Sequence, residues 1–435
     1  MHFQQIIITQ YYNNPKGMFK IMNNYAKAIK ILNLYGQEHL LNLYETLTAK
    51  EKKALLSQIL GIDFEQILKL YYNSMKPEEN VLSHVSPIQH FEKNRLSKEE
   101  IKTYTSIGEA ELKKGTFAVV TMAGGQGTRL GYSGPKGTYP LNLENGKKSL
   151  FQIMCEDIKR ANNTYNITIP WFIMTSQEND QTTKDFFAEH KYFGYPQKSI
   201  TFFTQGKLPI INTEGKLILD QPYHIKEASN GNGNVFVSLR KHDILNLMEK
   251  QGIKWISFGG IDNVLLKNVD PLFLGMTISK KEQISSKSIF KEQPLEKTAV
   301  YCKKDGKPAI LDYVDITPEL SVEKDLDGLY KYREANMLSH LMSIDAVKKV
   351  STIPLRFHRA FKKNAFVNFE GVKQVPDKPN TFKFENFIFD AFAFFDNMLL
   401  LRVDANEEFA PIKDFTGIYN PDTAKEKYEK YWDLK

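Results

Sequence analysis

Residues 117–141, FAVVTMAGGQGTRLGYSGPKGTYPL, decide how the rest of the chain is read. The run from Phe117 to Met122 is short, apolar and β-rich, which predicts an inner strand of a parallel sheet covered on both faces. Gly124, Gly125 and Gly127 follow at once, and where side chains are missing the backbone N–H groups can approach a ligand closely. A concavity of this kind after a strand is a cradle for a phosphate or a nucleotide.

Two better-known glycine loops do not fit. The dinucleotide fingerprint G-x-G-x-x-G fails because the glycines fall at Gly125, Gly127 and Gly131, one residue too long, with Arg129 inside the turn. The ATPase P-loop needs Gly-Lys-Ser/Thr, whereas Pro135, Lys136, Gly137 and Thr138 put a proline before the lysine and a glycine after it. What remains, GG-x-GTRLG-x-x-x-PKG, offers backbone donors to a nucleotide and then two fixed cations to its phosphates.

This pattern resembles the signature of the sugar nucleotidyltransferases, in particular that of the UDP-N-acetylhexosamine pyrophosphorylases and their bacterial uridylyltransferase relatives. The resemblance implies a central doubly wound, GT-A-like Rossmann-type α/β domain that takes UTP and a sugar 1-phosphate. It also implies that Arg129 and Lys136 neutralise the triphosphate while the backbone of Ala123, Gly124 and Gly125 faces the uracil.

The chain around this loop has an ordinary globular composition. Its 435 residues, 42% hydrophobic and 25% charged, suffice for a sizeable core and two or three subdomains. No run reaches transmembrane length and the N-terminus lacks the order of a signal peptide, so a cytoplasmic protein is expected. Cys155 and Cys302 are the only cysteines and have no metal-ligand partners nearby, which predicts buried thiols in a reducing compartment and no zinc site. The formal charge of +7 is dispersed, without an arginine-rich tail or interleaved aromatics, so it points to no nucleic acid. Nothing points to a membrane or a protein partner.

Residues 1–114 read as a helical N-terminal region. Thr48 with Glu51 and Ser97 with Glu100 form capping boxes, the first followed by an apolar face at Leu55, Leu56, Ile59 and Leu60. The segment ahead of Met18 reads as an upstream extension, with Met18 an alternative start. Residues 115–352 read as the central domain, where strand and helix alternate: a helix over 149–160, a strand over 171–175, a helix over 182–190, and strands over 200–203 and 255–258. Such a domain binds ligand at the carboxyl ends of its strands.

The polar residues at those ends complete the implied site. Gln205, after the strand ITFF, would contact the uracil. In the loop NGNGN, the resemblance implies that Asn232 meets the sugar and Gly231 the nucleotide base, with Gly233 beside them; Asn230 and Asn234 depart from the family's aspartate and glycine. Asp262, after the strand ending at Phe258, is the chain's metal candidate. A carboxylate there suits Mg²⁺, which completes its octahedron with substrate phosphates and water. Residues 299–316 read as a strand pair around the turn Asp305–Gly306, whose second strand carries Asp312 and Tyr313, where the family has Glu-Tyr to bind sugar hydroxyls. Ala299 stands where glycine is usual. In YREANMLSH, Asn336 keeps the sugar-contacting asparagine, whereas Arg333 and Ala335 depart.

Residues 353–435 read as a smaller α+β lobe that closes as a lid, hinged near Ser351 to Leu355. In it Phe387 and Phe389 of FIFDAF are candidate walls of the sugar pocket, Lys413 of EEFAPIKD would reach the phosphates, and Asn420 with Pro421 caps the closing helix. Arg129, Lys136, Lys413 and Mg²⁺ on Asp262 would supply positive charge to an in-line uridylyl transfer that needs no nucleophilic side chain. His190 and His340 are then structural or surface residues. The expected sugar is N-acetylglucosamine 1-phosphate, with glucose 1-phosphate as the alternative. A silent nucleotide-sugar binder is disfavoured because both Asp262 and Lys136 are present, and a dehydrogenase by the loop spacing and by Ser176 after the second strand.

Overall fold

The computed structural model describes residues 15–76, 84–293, 296, 298–313 and 315–434, with side chains from residue 23 onward. Most of the segment ahead of Met18 therefore lies outside the described residues. The chain divides into two compact units. One comprises Met1–Glu79, Lys207–Asn230 and Phe357–Glu385, the other Asn80–Gly206, Gly231–Arg356 and Asn386–Lys435.

The smaller unit packs the helices Pro15–Tyr35, Ala49–Gly61 and Phe64–Ser74 against short strands from the other two segments. Leu32, Leu55, Ile59 and Ile67 share one core with Ile211, Leu217, Phe382 and Phe384. The capping box at Thr48 and Glu51 starts the second of these helices as expected. Gln37, itself buried, donates to the Gly215 carbonyl at 2.8 Å and accepts from Leu217 N–H at 2.9 Å, so a polar side chain satisfies backbone groups that the turn leaves open.

The larger unit is built on an eleven-stranded sheet. Eight of its strands form the main path: β1 Phe91–Glu92, β2 Phe117–Met122, β3 Trp171–Thr175, β4 Ile200–Thr204, β5 Trp255–Gly260, β6 Ile284–Phe290, β7 Glu334–Ser343 and β8 Leu399–Arg402, in the order β1-β8-β6-β7-β5-β2-β3-β4. All pair in parallel except β7, which runs antiparallel to both β5 and β6. Every residue of β2 is buried, and its side chains alternate between two cores. Val119 joins Trp171, Ile173 and the helix Leu150–Tyr165 on one face, while Val120 joins Phe172, Phe258 and the helices Val235–Lys241 and Ile344–Val350 on the other. Helices thus cover both faces, and the loops that follow β2, β3, β4, β5, β6 and β8 emerge at one end.

These units differ from a division at residues 114 and 352. The helix Lys98–Lys113, capped by Ser97 and Glu100, belongs with the sheet because Gly108 and Gly275 let it meet the helix Pro271–Ser279 backbone to backbone. A Cβ at Gly108 would lie 1.9 Å from the Pro271 carbonyl oxygen, and one at Gly275 1.7 Å from that of Tyr104. Nor do residues 353–435 form one lobe. Phe382 and Phe384 enter the core of the smaller unit, whereas Leu399 and Leu401 of β8 lie in a sheet core of the larger. Lys413 follows a strand of the central sheet and does not ride on a separate lid.

Candidate active site

Every candidate residue falls in the larger unit. The loop after β2 is closed on itself: Gly127 N–H donates to Gly134 O at 2.9 Å, Tyr132 N–H to Gly127 O at 3.1 Å, and Lys136 N–H to Gly125 O at 3.0 Å. Gly131 turns in the left-handed region at φ 64°. Among the described residues, no acceptor lies against the N–H of Gly124 or Gly125, and Gly125 is exposed, so these donors are available to a ligand. Gln205 leaves β4 with its N–H on the Thr175 carbonyl, and its buried side chain fills the place a Cβ would take at Gly124, with Nε2 2.3 Å from that position.

Asn179 braces this loop and was not legible beforehand. It is buried, donates to the carbonyls of Ala123 at 3.2 Å and Gly125 at 3.3 Å, and accepts from Ser176 N–H at 2.7 Å. Its only sequence mark is an asparagine a few residues past a strand, the commonest of turn signals.

The charged groups converge beside the loop. The Lys136 side chain is 10% exposed, and its Nζ lies 3.5 Å from Asp262 Oδ2. Asp262 follows β5, and its carbonyl accepts from Ile412 N–H at 2.9 Å, which brings Lys413 next to it in the chain. Arg129 is 68% exposed; its guanidinium stands 3.4 Å from Asp414, and its carbonyl accepts from Phe415 N–H at 3.1 Å. Lys413 rests over the Tyr419 ring at 4.7 Å. Arg129 and Lys136, Asp262, and Lys413 are therefore carried by three loops, after β2, β5 and β8, and backbone hydrogen bonds tie the third loop to each of the other two. Among the described residues no three His, Cys, Asp or Glu side chains group to hold a metal. The single carboxylate of Asp262 fits an ion such as Mg²⁺, which takes one or two carboxylates and fills its remaining positions from phosphate and water.

The other loops adjoin this end. Gly231, at φ 96°, and Gly233 lie against the backbone of Asn386 and Phe387, where a Cβ would come within 2.1 Å and 2.6 Å of backbone atoms. Asn232 Oδ1 accepts from Ile388 N–H at 3.0 Å, and Phe387 stacks on Phe389 with ring centres 5.0 Å apart. Asn234 accepts from Gly206 N–H at 2.6 Å and Ser238 Oγ at 2.9 Å, so its departure from glycine is used to fasten the loop after Gln205. Asn336 Oδ1 accepts from Tyr301 OH at 3.1 Å and from Leu338 N–H at 3.0 Å. Tyr313 is exposed, while Asp312 Oδ1 is buried and, among the described residues, has no hydrogen-bond partner.

Two further departures, Arg333 and Ala335, have local explanations. Arg333 pairs with Asp325 and donates to Tyr330 O at 2.8 Å, holding the turn of residues 325–330. Ala335 is buried in the ladder opposite Ile289 and Val300. His340 is buried with Nδ1 2.8 Å from Ser286 Oγ, and burial pushes its pKa down to about 3. Cys155 and Cys302 are buried free thiols, each pushed up to about 12 by burial, as expected.

Known proteins are similar to this chain in sequence and in fold. Residues 63–419 match the family UDPGP, UTP--glucose-1-phosphate uridylyltransferase. The chain is 34% identical to the UDP-N-acetylglucosamine pyrophosphorylase of Saccharomyces cerevisiae over 91% of its length and 87% of the relative's. A crystal structure of a putative UDP-N-acetylglucosamine pyrophosphorylase from Entamoeba histolytica superposes with a TM-score of 0.74 at 30% identity, covering 80% of this chain and 88% of that one. The UDP-glucose phosphorylase of Trypanosoma brucei, at 16% identity and a TM-score of 0.65 over 84% of this chain and 77% of that one, shares the fold. By its matched length and by its identity to these relatives, the chain belongs to the UDPGP family of nucleotidyltransferases.

Proposed function

We propose that this protein transfers the uridylyl group of UTP to N-acetylglucosamine 1-phosphate, giving UDP-N-acetylglucosamine and pyrophosphate. The observation that carries the reading is the meeting of an open glycine cradle, the buried Lys136 and Asp262 at one end of the sheet. An oxygen of the sugar 1-phosphate attacks the α-phosphorus of UTP, its bond to that phosphorus forms as the α–β bridge breaks, and the electron pair leaves on pyrophosphate. Charge builds on phosphate oxygens throughout, so fixed cations in a partly dry site lower the barrier without any covalent intermediate on the protein. Lys136, held in place by burial, is suited to the α-phosphate region. Arg129 and Lys413, on more exposed loops, are suited to the leaving phosphates. Asp262 would hold Mg²⁺, which when bound supplies further positive charge to the phosphate oxygens.

Ala123, Gly124, Gly125, Gln205 and Gly231 form the part suited to uracil. Asn232, Gly233, Asn336, Phe387 and Phe389 form the part suited to the sugar. Asp312 Oδ1, buried and without a hydrogen-bond partner among the described residues, supports this assignment, because a sugar hydroxyl would donate to it. Relatives named for N-acetylglucosamine support that sugar over glucose. The buried thiols fit a cytoplasmic setting. Pyrophosphate release from UTP with a panel of sugar 1-phosphates tests the reading. N-acetylglucosamine 1-phosphate should exceed glucose 1-phosphate in kcat/KM by about tenfold or more, the span that one pocket contact typically discriminates. A preference for glucose 1-phosphate would overturn the choice of sugar, and no release with any sugar would overturn the activity.

A further inference from the structure

Lys287 lies in the middle of β6 and is fully buried, an unusual place for an ammonium group. Its Nζ meets two carboxylates, Asp270 Oδ2 at 2.6 Å and Glu408 Oε2 at 2.5 Å. Burial works against its charge, yet the fields of Asp270 and Glu408 hold its pKa above the ordinary lysine value. Glu408, also fully buried, has Lys267 at 3.4 Å and Lys93 at 3.5 Å from its other oxygen.

The two carboxylates belong to two of the loops of the proposed phosphate site, those that carry Asp262 and Lys413. Asp270 closes the loop that starts at Asp262 and caps the helix Pro271–Ser279 through Phe273 N–H at 3.2 Å. Glu408 ends the short helix Ala405–Glu408 that leads into Lys413. Nearer the site the same loops are joined again by Asn263. This buried side chain donates to Glu408 O at 2.8 Å and accepts from Ala410 N–H at 2.8 Å, while Val264 N–H reaches Ala410 O at 3.2 Å and Ile412 N–H reaches Asp262 O at 2.9 Å. Lys287 thus ties the far ends of both loops to a central strand, and Asn263 ties them to each other.

We propose that Lys287 and Asn263 are positioning residues, which fix the loop carrying Lys413 relative to Asp262 by bolting both loops to the central sheet through Glu408 and Asp270. The proposal rests on the reading that Lys413 serves the phosphates. Neither residue need touch substrate. Their effect is geometric, and a displacement of about 1 Å at a reacting centre can cost about a hundredfold in rate.

The test compares Lys287→Met, Glu408→Gln and Lys413→Ala in the full chain. Glu408→Gln keeps the shape and removes one charge, so it serves where Lys287→Met fails to fold. The first readout is amide exchange. The N–H groups of Ala410 and Ile412 should exchange faster in Glu408→Gln, while those of β2 keep their protection; unchanged exchange at both residues would overturn the proposal. The second readout is kinetic. Glu408→Gln and Lys287→Met should lower kcat by about tenfold to a hundredfold with KM for UTP nearly unchanged, and either change should add little on a Lys413→Ala background. Losses that multiply in full would show that the bolt does not act through Lys413 and would also overturn the proposal. A Lys413→Ala enzyme with full kcat is a different failure, since it removes Lys413 from the phosphate site, and the exchange readout still judges the bolt.

Discussion

Substituting Gly125 with alanine separates a ligand cradle from a glycine-rich turn. A Cβ built at Gly125 meets no protein atom within 4 Å, and its φ lies outside the left-handed region. The folded protein should therefore accept the methyl. Removing a glycine from the unfolded chain is worth about 0.4–1 kcal/mol of added stability where the native conformation is compatible, so Tm should hold or rise slightly. The space the methyl enters is open, on the loop proposed above to hold the nucleotide. One methyl in such a pocket costs about 1–3 kcal/mol of binding, or roughly tenfold to two-hundredfold in kcat/KM for UTP. Gly137→Ala is the contrast: its Cβ would fall 2.2 Å from the buried Phe151 ring, and overpacking of that kind costs about 1–3 kcal/mol of stability whatever the ligand does. Thermal unfolding and steady-state pyrophosphate release on both variants are sufficient. A Gly125→Ala enzyme with normal kcat/KM for UTP would place the nucleotide elsewhere, and one that loses stability would show that the loop's openness has been misread.

Lys136→Ala should lower kcat by about a hundredfold or more, as loss of one preorganised charge donor does, and a near-normal kcat would remove Lys136 from the transition state. Asp262→Asn should abolish activity at any Mg²⁺ concentration and weaken Mg²⁺-dependent binding of UTP measured by calorimetry; unchanged Mg²⁺ dependence would move the ion to other ligands. Gly231→Ala should destabilise the chain by about 1–3 kcal/mol from its positive-φ backbone, and by more because its Cβ would press to 2.1 Å from Asn386 O; an unchanged Tm would contradict the packing. His340 supplies a pH test. Burial puts its folded pKa at about 3, below the unfolded value of about 6.5, so the unfolded chain binds the extra proton and stability falls as pH drops through that window. The slope is about 1.4 kcal/mol per unit, or about 2 kcal/mol by pH 5. His39 and His90, also lowered by burial, act in the same direction, so the measurement is the difference between wild type and His340→Asn. Parallel Tm profiles between pH 6.5 and 5 would refute it.

The strand and loop at 117–141 were legible because both signals are local: an apolar run buried on both faces, then glycines where a backbone must approach a ligand. The capping boxes at Thr48 and Ser97 and the Asn420 cap were legible for the same reason, since each is a contact between near neighbours in sequence. The ends of β3, β4 and β5 could be placed, and with them Gln205 and Asp262. The units could not, because the partner that buries a face is chosen by tertiary packing. Phe382 and Leu399 look alike in sequence yet fall in different cores.

β6 shows where local reading fails and why. The segment ISSKSIF carries four polar residues in a row and has no apolar alternation, so nothing in its sequence marks a buried strand, yet all four are fully buried. Each polar group is matched from outside the strand: Ser285 by Thr277 at 2.9 Å, Ser286 by His340, Lys287 by Asp270 and Glu408, and Ser288 by Glu334 at 2.7 Å. A buried polar strand costs little only when every group finds its partner, and an unmatched one costs about 1–3 kcal/mol. The partners therefore bind the strand's neighbours to fixed places. Two of them, Asp270 and Glu408, belong to the loops that hold Asp262 and Lys413, so the polarity that hides β6 from a hydropathy reading is also what fastens the proposed phosphate site to the sheet.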